Sequence, residues 1–243
     1  MFINRILKAI SVVLGVGFIA SLSLGHELEG SALSSMMLVF LTVLYFRGTK
    51  SKSKYFSSFL VIFTFAHVLS YLSWYLPEED YFGTDYIYYL ANILYVISYL
   101  FLILRFTSKF DIKLILKRFL FSILILLVLD VFCVIIVTET AGEVLSVYEY
   151  ALEFLYNAVV MVLLSVALIN YMYRNDNKSM LFLLACICIV FSEVIQLAYF
   201  YVLSSNDLGV IYSTFLVLAF ALFYTQSQMK FLGPFEAYSE GPL

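Results

Sequence analysis

Four ionisable side chains stand in the interior of long apolar stretches of this sequence. They are His67, Asp130, Glu153 and Glu193, and each is surrounded mainly by Leu, Ile, Val and aromatic residues. An ionisable group is costly inside a membrane, so it usually faces a protein interior or a water-filled cavity. We therefore expect these four groups to converge on one polar site inside a helical bundle.

Helical spacing supplies these groups with polar neighbours. Residues three or four apart lie on one face of a helix, so Glu149, Glu153 and Asn157 form one stripe, and Gln196 lies close to Glu193. The simplest interpretation of these polar side chains is that they form hydrogen bonds between helices, each worth roughly 0.6–2 kcal/mol. Beside a catalytic pair of His67 and Glu193, the predicted polar cavity contains Asp130, Glu153, Asn157, Gln196, Asn92 and Ser192.

A histidine and a glutamate that flank one water molecule can perform general acid–base hydrolysis. Other chemistries fit the residues less well. A retinal pigment needs a lysine in mid-span, and every lysine of this chain lies outside the apolar cores; a three-histidine zinc site is impossible with only His26 and His67. A carboxylate-rich metal site stays open, as does a weakly indicated triad built on Ser70 or Ser192. No cofactor and no metal is assigned.

Length and composition specify the elements that must position these residues. The 243 residues are 63% hydrophobic and 13% charged, which no soluble domain of this size could bury. A bilayer core of about 30 Å needs about 20 apolar residues per helix. The fold class is therefore an all-α membrane bundle of eight transmembrane helices, with spans at Ile6–Gly25, Ser31–Phe46, Tyr55–Leu76, Tyr86–Phe106, Phe119–Thr138, Tyr148–Tyr173, Met180–Leu203 and Leu208–Gln226.

The basic residues predict the orientation of this single domain. With eight spans, all 14 Lys and Arg residues fall on one side, and the opposite loops are acidic. Because cytoplasmic loops collect Lys and Arg, both termini are predicted to be cytoplasmic, with a short tail over residues 227–243. We expect a multi-pass protein of the cytoplasmic membrane of a bacterium, in contact with membrane lipid. A net charge of −3 and the lack of a basic tract argue against nucleic acid.

Three short motifs resemble the YhhN-like family of lysoplasmalogenases. Phe191-Ser192-Glu193 stands where that family has Ser-Asp, and Ala66-His67 stands where it has Gly-Asp. Tyr224-Thr225-Gln226, with Gln228 and Gly233, is similar to the closing motif of the family. The resemblance covers most of the chain and implies the same small, nearly loop-free bundle of about eight spans.

The resemblance also implies a function. Family members use two intramembrane aspartates to hydrolyse the vinyl-ether bond of lysoplasmalogens, which releases an aldehyde and a glycerophospho-base. Here Glu193 and His67 stand at the two aspartate positions. One hypothesis is an intramembrane hydrolase of a lysolipid-like amphiphile that uses this pair. The alternative is a non-enzymatic protein of the same fold, which binds lipid or serves as a subunit with a membrane-protein partner.

Overall fold

A computed structural model describes residues 2–49, 52–75, 86–108, 110–142 and 144–229. In these ranges the chain is helical, without strands, and all the helices are long and apolar enough to cross a membrane. The predicted all-α class with eight membrane-spanning helices is thus confirmed. The eight helices are α1 (Phe2–Ser23), α2 (Glu27–Gly48), α3 (Lys54–Ser73), α4 (Tyr86–Thr107), α5 (Ile112–Glu139), α6 (Val147–Arg174), α7 (Asn177–Tyr201) and α8 (Asn206–Gln228).

Helices α2 and α5 are among those that begin before their predicted spans. Helix α2 begins at Glu27 rather than Ser31, and Glu27 and Glu29 lie in its first turn, where acidic side chains interact favourably with the helix dipole. Helix α5 begins at Ile112, where the Asp111 side chain accepts a hydrogen bond from the Leu114 amide at 3.2 Å. Non-helical backbone angles at Phe119 separate its basic first turns from the apolar span.

Seven of the helices form a closed ring. Each helix of the ring contacts the next one in the order α1, α2, α3, α4, α6, α7, α8. Helix α8 then packs against α1 and closes the ring. Helix α5 stands outside this ring and packs mainly against α6. Only 6% of the residues in the most apolar stretch of α5 are buried, against 22% or more in every other helix. Most of the α5 surface therefore faces lipid.

We call the two ends of the ring the acidic end and the basic end. The acidic end holds Glu27 at the start of α2 and Asp207 in the first turn of α8. The basic end holds Arg47 at the end of α2, Lys54 at the start of α3 and Arg174 at the end of α6. The structure itself contains no membrane, so the cytoplasmic placement of the basic end stays a prediction.

Accessibility labelling tests this orientation. In a chain whose three cysteines are replaced by alanine, a single cysteine at Glu139 should react with a membrane-impermeant maleimide added outside cells. A cysteine at Lys52 should react only after the membrane is permeabilised, because it lies on the basic side. Both positions are exposed. Labelling of the Lys52 position in intact cells would contradict the predicted topology.

Packed aromatic rings fill the basic half of the ring interior. Phe59 on α3 is fully buried and contacts the rings of Phe56, Tyr99, Phe220 and Phe223 at centroid distances of 5.5–6.3 Å. Such aromatic pairs stabilise beyond their buried area. The interior is therefore closed at the basic half, and any internal space lies nearer the acidic end.

Removal of one of these rings should destabilise the bundle. We expect Phe59→Ala to lower the free energy of unfolding by about 3 kcal/mol, because it leaves a cavity among rings that cannot all collapse into it. Phe65 on the same helix is 58% exposed and is the matched control. Since lipid tails are as apolar as the side chain they replace, Phe65→Ala should cost less than about 1 kcal/mol. Detergent-titration unfolding measures both, and equal losses would show that the aromatic cluster is not a core.

Candidate functional site

A cavity of about 510 Å³ lies inside the ring, towards the acidic end. Its walls come from all seven ring helices and from none of α5. Phe63 and Leu216 mark its inner part, while Glu27 and Trp74 line it at the acidic end. The volume lies in the range of pockets that hold small ligands. Both members of the predicted catalytic pair, His67 and Glu193, line this cavity.

His67 on α3 is held through both ring nitrogens. Its Nε2 lies 3.0 Å from Ser34 Oγ on α2, and its Nδ1 lies 2.8 Å from the Tyr95 hydroxyl on α4. Ser34 also donates its hydroxyl to the Ser31 carbonyl oxygen at 3.0 Å. A hydroxyl has one proton to donate.

This count defines the tautomer of a neutral His67. All three contacts are satisfied when Nε2–H donates to Ser34 Oγ and the Tyr95 hydroxyl donates to Nδ1. In that arrangement His67 is a neutral imidazole whose Nδ1 is basic. Its ring also stacks on Phe63, at a centroid distance of 6.0 Å and 16° between planes. The imidazole is therefore fixed in orientation by three different helices.

Glu193 on α7 is held by two tyrosine hydroxyls. Tyr99 on α4 donates to its Oε1, and Tyr156 on α6 donates to its Oε2 at 2.7 Å. Tyr99 is fully buried and Tyr156 is 6% exposed, so these bonds lie in an environment where water competes weakly. Hydrogen bonds to an ionised carboxylate are stronger than bonds between neutral groups. The two phenols thus fix both carboxylate oxygens of Glu193.

No direct hydrogen bond or ion pair joins His67 to Glu193 in the described part of the chain. Their tyrosine partners lie side by side instead. The rings of Tyr95 and Tyr156 meet edge to face at a centroid distance of 6.3 Å. The expected approach of His67 to Glu193 through one water molecule stays a prediction. His67 and Glu193 are considered as one candidate site because both line the same cavity.

Three further predicted residues line the cavity. Glu153 on α6 is 8% exposed, and its Oε1 accepts the Asn157 amide at 3.4 Å. Asn92 on α4 uses its side-chain amide to donate to the Tyr88 carbonyl oxygen of its own helix at 2.9 Å. Gln196 lies one turn beyond Glu193 on α7. With His67 and Glu193, five of the eight predicted site residues therefore share the cavity.

The expectation that Asp130 joins this site is not met. Asp130 is on α5, outside the ring, and its Oδ2 accepts the Ser165 hydroxyl of α6 at 2.7 Å. It does not line the cavity. The sequence around Asp130 is apolar like that around Glu193, but α5 packs on the outer side of α6 and turns this carboxylate towards that helix. Asp130 is better interpreted as a residue that links α5 to α6 through a hydrogen bond.

Asn157 and Ser192 also lie behind the cavity wall and do not line it. Asn157 is 3% exposed and donates to Thr138 Oγ1 of α5 at 3.1 Å, so it ties α5 to α6. Ser192 is fully buried and donates to the Tyr212 carbonyl oxygen of α8 at 2.9 Å. Both side chains support the walls. Glu149, the first member of the predicted stripe, caps the start of α6 with Ser146.

The side chains that bind His67 and Glu193 are not among the site residues predicted from the sequence. These side chains are Tyr95, Tyr99, Tyr156 and Ser34. A signal was available: Tyr95 and Tyr99 stand four residues apart deep inside an apolar span, and buried tyrosine hydroxyls usually have a partner. Ser34 gave no such signal, because serine is common at helix contacts in membranes.

Among the described residues, the charged side chains of the cavity wall are all acidic. Three carboxylates line it, from Glu27, Glu153 and Glu193, and no Lys or Arg is among the described residues that do so. The described residues contain no group of three His, Cys, Asp or Glu side chains placed to hold a metal ion. The carboxylate-rich metal site left open by the sequence therefore has no ligand set in the described ranges.

No family model, no curated protein and no solved structure matches this chain. The YhhN-like resemblance consequently stands on its short motifs. Two of them meet at the cavity, through His67 and Glu193. The closing motif lies at the basic end, where Gln226 accepts a hydrogen bond from the buried Arg105 guanidinium at 3.3 Å. Gly233 lies outside the described residues.

Proposed function

We propose that this protein is an intramembrane hydrolase of a single-chain amphiphile, of which a lysolipid such as a lysoplasmalogen is the class that the YhhN-like resemblance suggests. The observation that carries the proposal is the shared cavity of His67 and Glu193. A base of the imidazole type and a carboxyl group on one wall are the groups that general acid–base hydrolysis requires.

The surroundings of the cavity suit an amphiphile. Its inner part is lined by the apolar side chains of Phe63 and Leu216, whereas serines, amides and carboxylates line much of the rest. A ligand with one apolar chain and one polar end matches such a division, because each part then meets groups of its own kind. The ring of helices stands in lipid, so such a substrate can reach it from the surrounding bilayer.

The reaction needs one group that gives a proton and one that takes a proton. For a vinyl ether, one member of the pair His67/Glu193 protonates the double bond, which forms an oxocarbenium ion. Water attacks that carbon while the other member accepts a proton from the water. The resulting hemiacetal breaks to an aldehyde and an alcohol: its hydroxyl returns a proton to the first group, and the second group gives its proton to the departing alcohol oxygen. Tyr95 and Tyr156 hold the two groups in place.

Both groups must exchange a partner during this reaction. His67 Nδ1 and both oxygens of Glu193 are occupied by tyrosine hydroxyls. In the complex, at least one of these hydroxyls must yield its place to water or to the substrate. Catalytic hydrogen bonds commonly rearrange in this way when substrate binds.

The proposal is tested with purified protein in lipid nanodiscs. Lysoplasmenyl and lysoacyl lipids are supplied, and the release of fatty aldehyde or fatty acid is followed by mass spectrometry. We expect release that is absent with Glu193→Gln protein prepared in parallel. If the wild-type protein releases neither product above the rate of empty nanodiscs, the hydrolase proposal is wrong.

The saturated hydrogen bonding favours a second candidate, a lipid-binding protein without enzymatic activity. In that case the tyrosine bonds to His67 and Glu193 are permanent parts of the wall. The lipid-facing surface of α5 would then be available to a membrane-protein partner. Binding of a lysolipid without cleavage, unchanged in Glu193→Gln, would support this candidate over the hydrolase.

A further inference from the structure

We propose that the amphiphile bound in this cavity carries a cationic group, such as an ammonium, at the tip of its polar end. This inference rests on the proposed function, because it names the ligand class of the same cavity. It follows from the charges of the wall, from the hydrogen bonds that each carboxylate receives, and from the aromatic side chains at the acidic end.

No Lys or Arg among the described residues of the wall opposes its carboxylates. Glu27 comes from α2, Glu153 from α6 and Glu193 from α7, and the described lining contains neither Lys nor Arg. When the pair of His67 and Glu193 holds the one proton that hydrolysis needs, Glu27 and Glu153 still leave the wall negative. In an interior of low dielectric constant, charges act over longer distances than in water. An anionic ligand is repelled there, and a cationic one is attracted.

Among the described residues, Glu153 is the carboxylate of the wall with the weakest hydrogen bonding. Glu193 receives two tyrosine hydroxyls, and Glu27 receives the hydroxyl of Tyr199. From the part of the chain that the structure describes, Glu153 receives the Asn157 amide alone, at 3.4 Å, although its side chain is more than nine-tenths buried and lines the cavity. A buried charge with poor compensation is costly. An ammonium group beside Glu153 would remove that cost, so Glu153 is the expected anchor.

Aromatic side chains provide a second kind of site for a cation. Trp74, Tyr88, Phe200 and Tyr201 line the cavity, and all four come from the ends of helices at the acidic end. The face of an aromatic ring attracts a cation within about 6 Å of its centre, and quaternary ammonium groups are bound in this way. A terminal phosphate or sulfate would meet the same faces and carboxylates without a compensating charge.

The chain contains its own reporter for this ligand. Trp74 is the single tryptophan of the sequence and lies on the cavity wall. Its fluorescence can therefore follow titration of wild-type protein in phosphatidylcholine nanodiscs with non-cleavable probes of one chain length. The probes are decyltrimethylammonium, decylphosphocholine, decyl maltoside and decyl sulfate. Because they share a decyl chain, differences among them reflect the polar end.

Neutral variants separate site binding from partition into the lipid. We expect decyltrimethylammonium to bind most tightly and decyl sulfate least tightly. Glu153→Gln and Glu27→Gln should each weaken decyltrimethylammonium about tenfold and change decyl maltoside by less than about twofold. Glu29→Gln is the matched control for Glu27, since Glu29 stands two residues away, is exposed and does not line the cavity. It should leave all four affinities unchanged.

The outcomes distinguish this inference from the proposed function. If decyl maltoside or decyl sulfate binds as tightly as decyltrimethylammonium, the ligand is not selected for positive charge and this inference is wrong, while the hydrolase proposal stands. Equal losses in Glu29→Gln and Glu27→Gln would overturn it as well. If no decyl probe changes Trp74 fluorescence in the wild-type protein, the cavity is not an amphiphile site, and both proposals fail together.

Discussion

Hydrolysis by this protein is expected to fall by about 10²–10⁴-fold when Glu193 is changed to Gln or His67 to Ala, which is the usual contribution of general acid–base catalysis. Each change removes a group that gives or takes a proton while it leaves the cavity in place. Initial rates with saturating lysolipid in nanodiscs measure the effect, and thermal unfolding checks that both variants are folded.

Asp130→Asn is the matched control for these two variants. Asp130 is also a carboxylate inside an apolar helix, but it bonds Ser165 away from the cavity. Its replacement should change the rate by less than about twofold, since it touches no group of the reaction. If Asp130→Asn is as inactive as Glu193→Gln, the losses reflect general damage to the bundle. Full activity of folded Glu193→Gln would remove Glu193 from the mechanism.

Glu193→Asp is expected to retain or raise activity. This change places the residue of the YhhN-like motif at position 193 and keeps a carboxylate within reach of the cavity. The shorter side chain must still meet the hydroxyls of Tyr99 and Tyr156. The ratio of the rate of Glu193→Asp to that of Glu193→Gln reports whether an ionisable group is needed there. Two equally inactive variants would argue that Glu193 is a structural hydrogen-bond acceptor only.

The second large effect is expected from the two tyrosines that hold Glu193. A hydrogen bond to a charged group is worth roughly 1.5–3 kcal/mol, so Tyr99→Phe and Tyr156→Phe should each lower kcat by about tenfold or more. The phenyl ring preserves the packing and removes only the donor. Loss of both donors in the double variant leaves the carboxylate without either phenol, and its effect should exceed that of each single variant.

Kinetic constants separate positioning of Glu193 from structural damage. If the tyrosines act through the carboxylate, kcat falls, KM changes little, and the pH profile of kcat moves because Glu193 has lost its donors. Tyr86→Phe on the same helix as Tyr99 is the control, because Tyr86 is 59% exposed and does not line the cavity. Unchanged pH profiles in both Tyr99→Phe and Tyr156→Phe would contradict the positioning role.

The span pattern predicts the fold of this chain well, for a physical reason. Eight apolar segments separated by short polar connections leave few alternatives, because backbone groups in lipid must be satisfied within helices. Helix ends were less predictable. Because Glu27 is charged, the hydropathy of the sequence places it outside the second span. It belongs nevertheless to the first turn of α2, where backbone amides favour a carboxylate.

The arrangement of the helices around the bundle could not be predicted in the same way. Spacing along one helix shows which residues share a face, but it does not show which neighbour that face meets. Asp130 and Glu193 have similar apolar neighbours, yet α5 lies outside the ring and α7 belongs to it. The same limit explains why Tyr95 and Tyr99, which are visible as a spaced pair, could not be assigned to His67 and Glu193.

A crystal structure of the protein with a bound, non-cleavable single-chain amphiphile would show whether His67 and Glu193 meet a ligand inside the cavity. We expect an amphiphile inside the ring, with its polar end within hydrogen-bond distance of His67 and Glu193 or joined to both through one water molecule. At least one of the hydroxyls of Tyr95, Tyr99 and Tyr156 should have moved to make room. An amphiphile found only on the outer surface of the helices, with His67 and Glu193 still bonded to their tyrosines, would contradict this expectation.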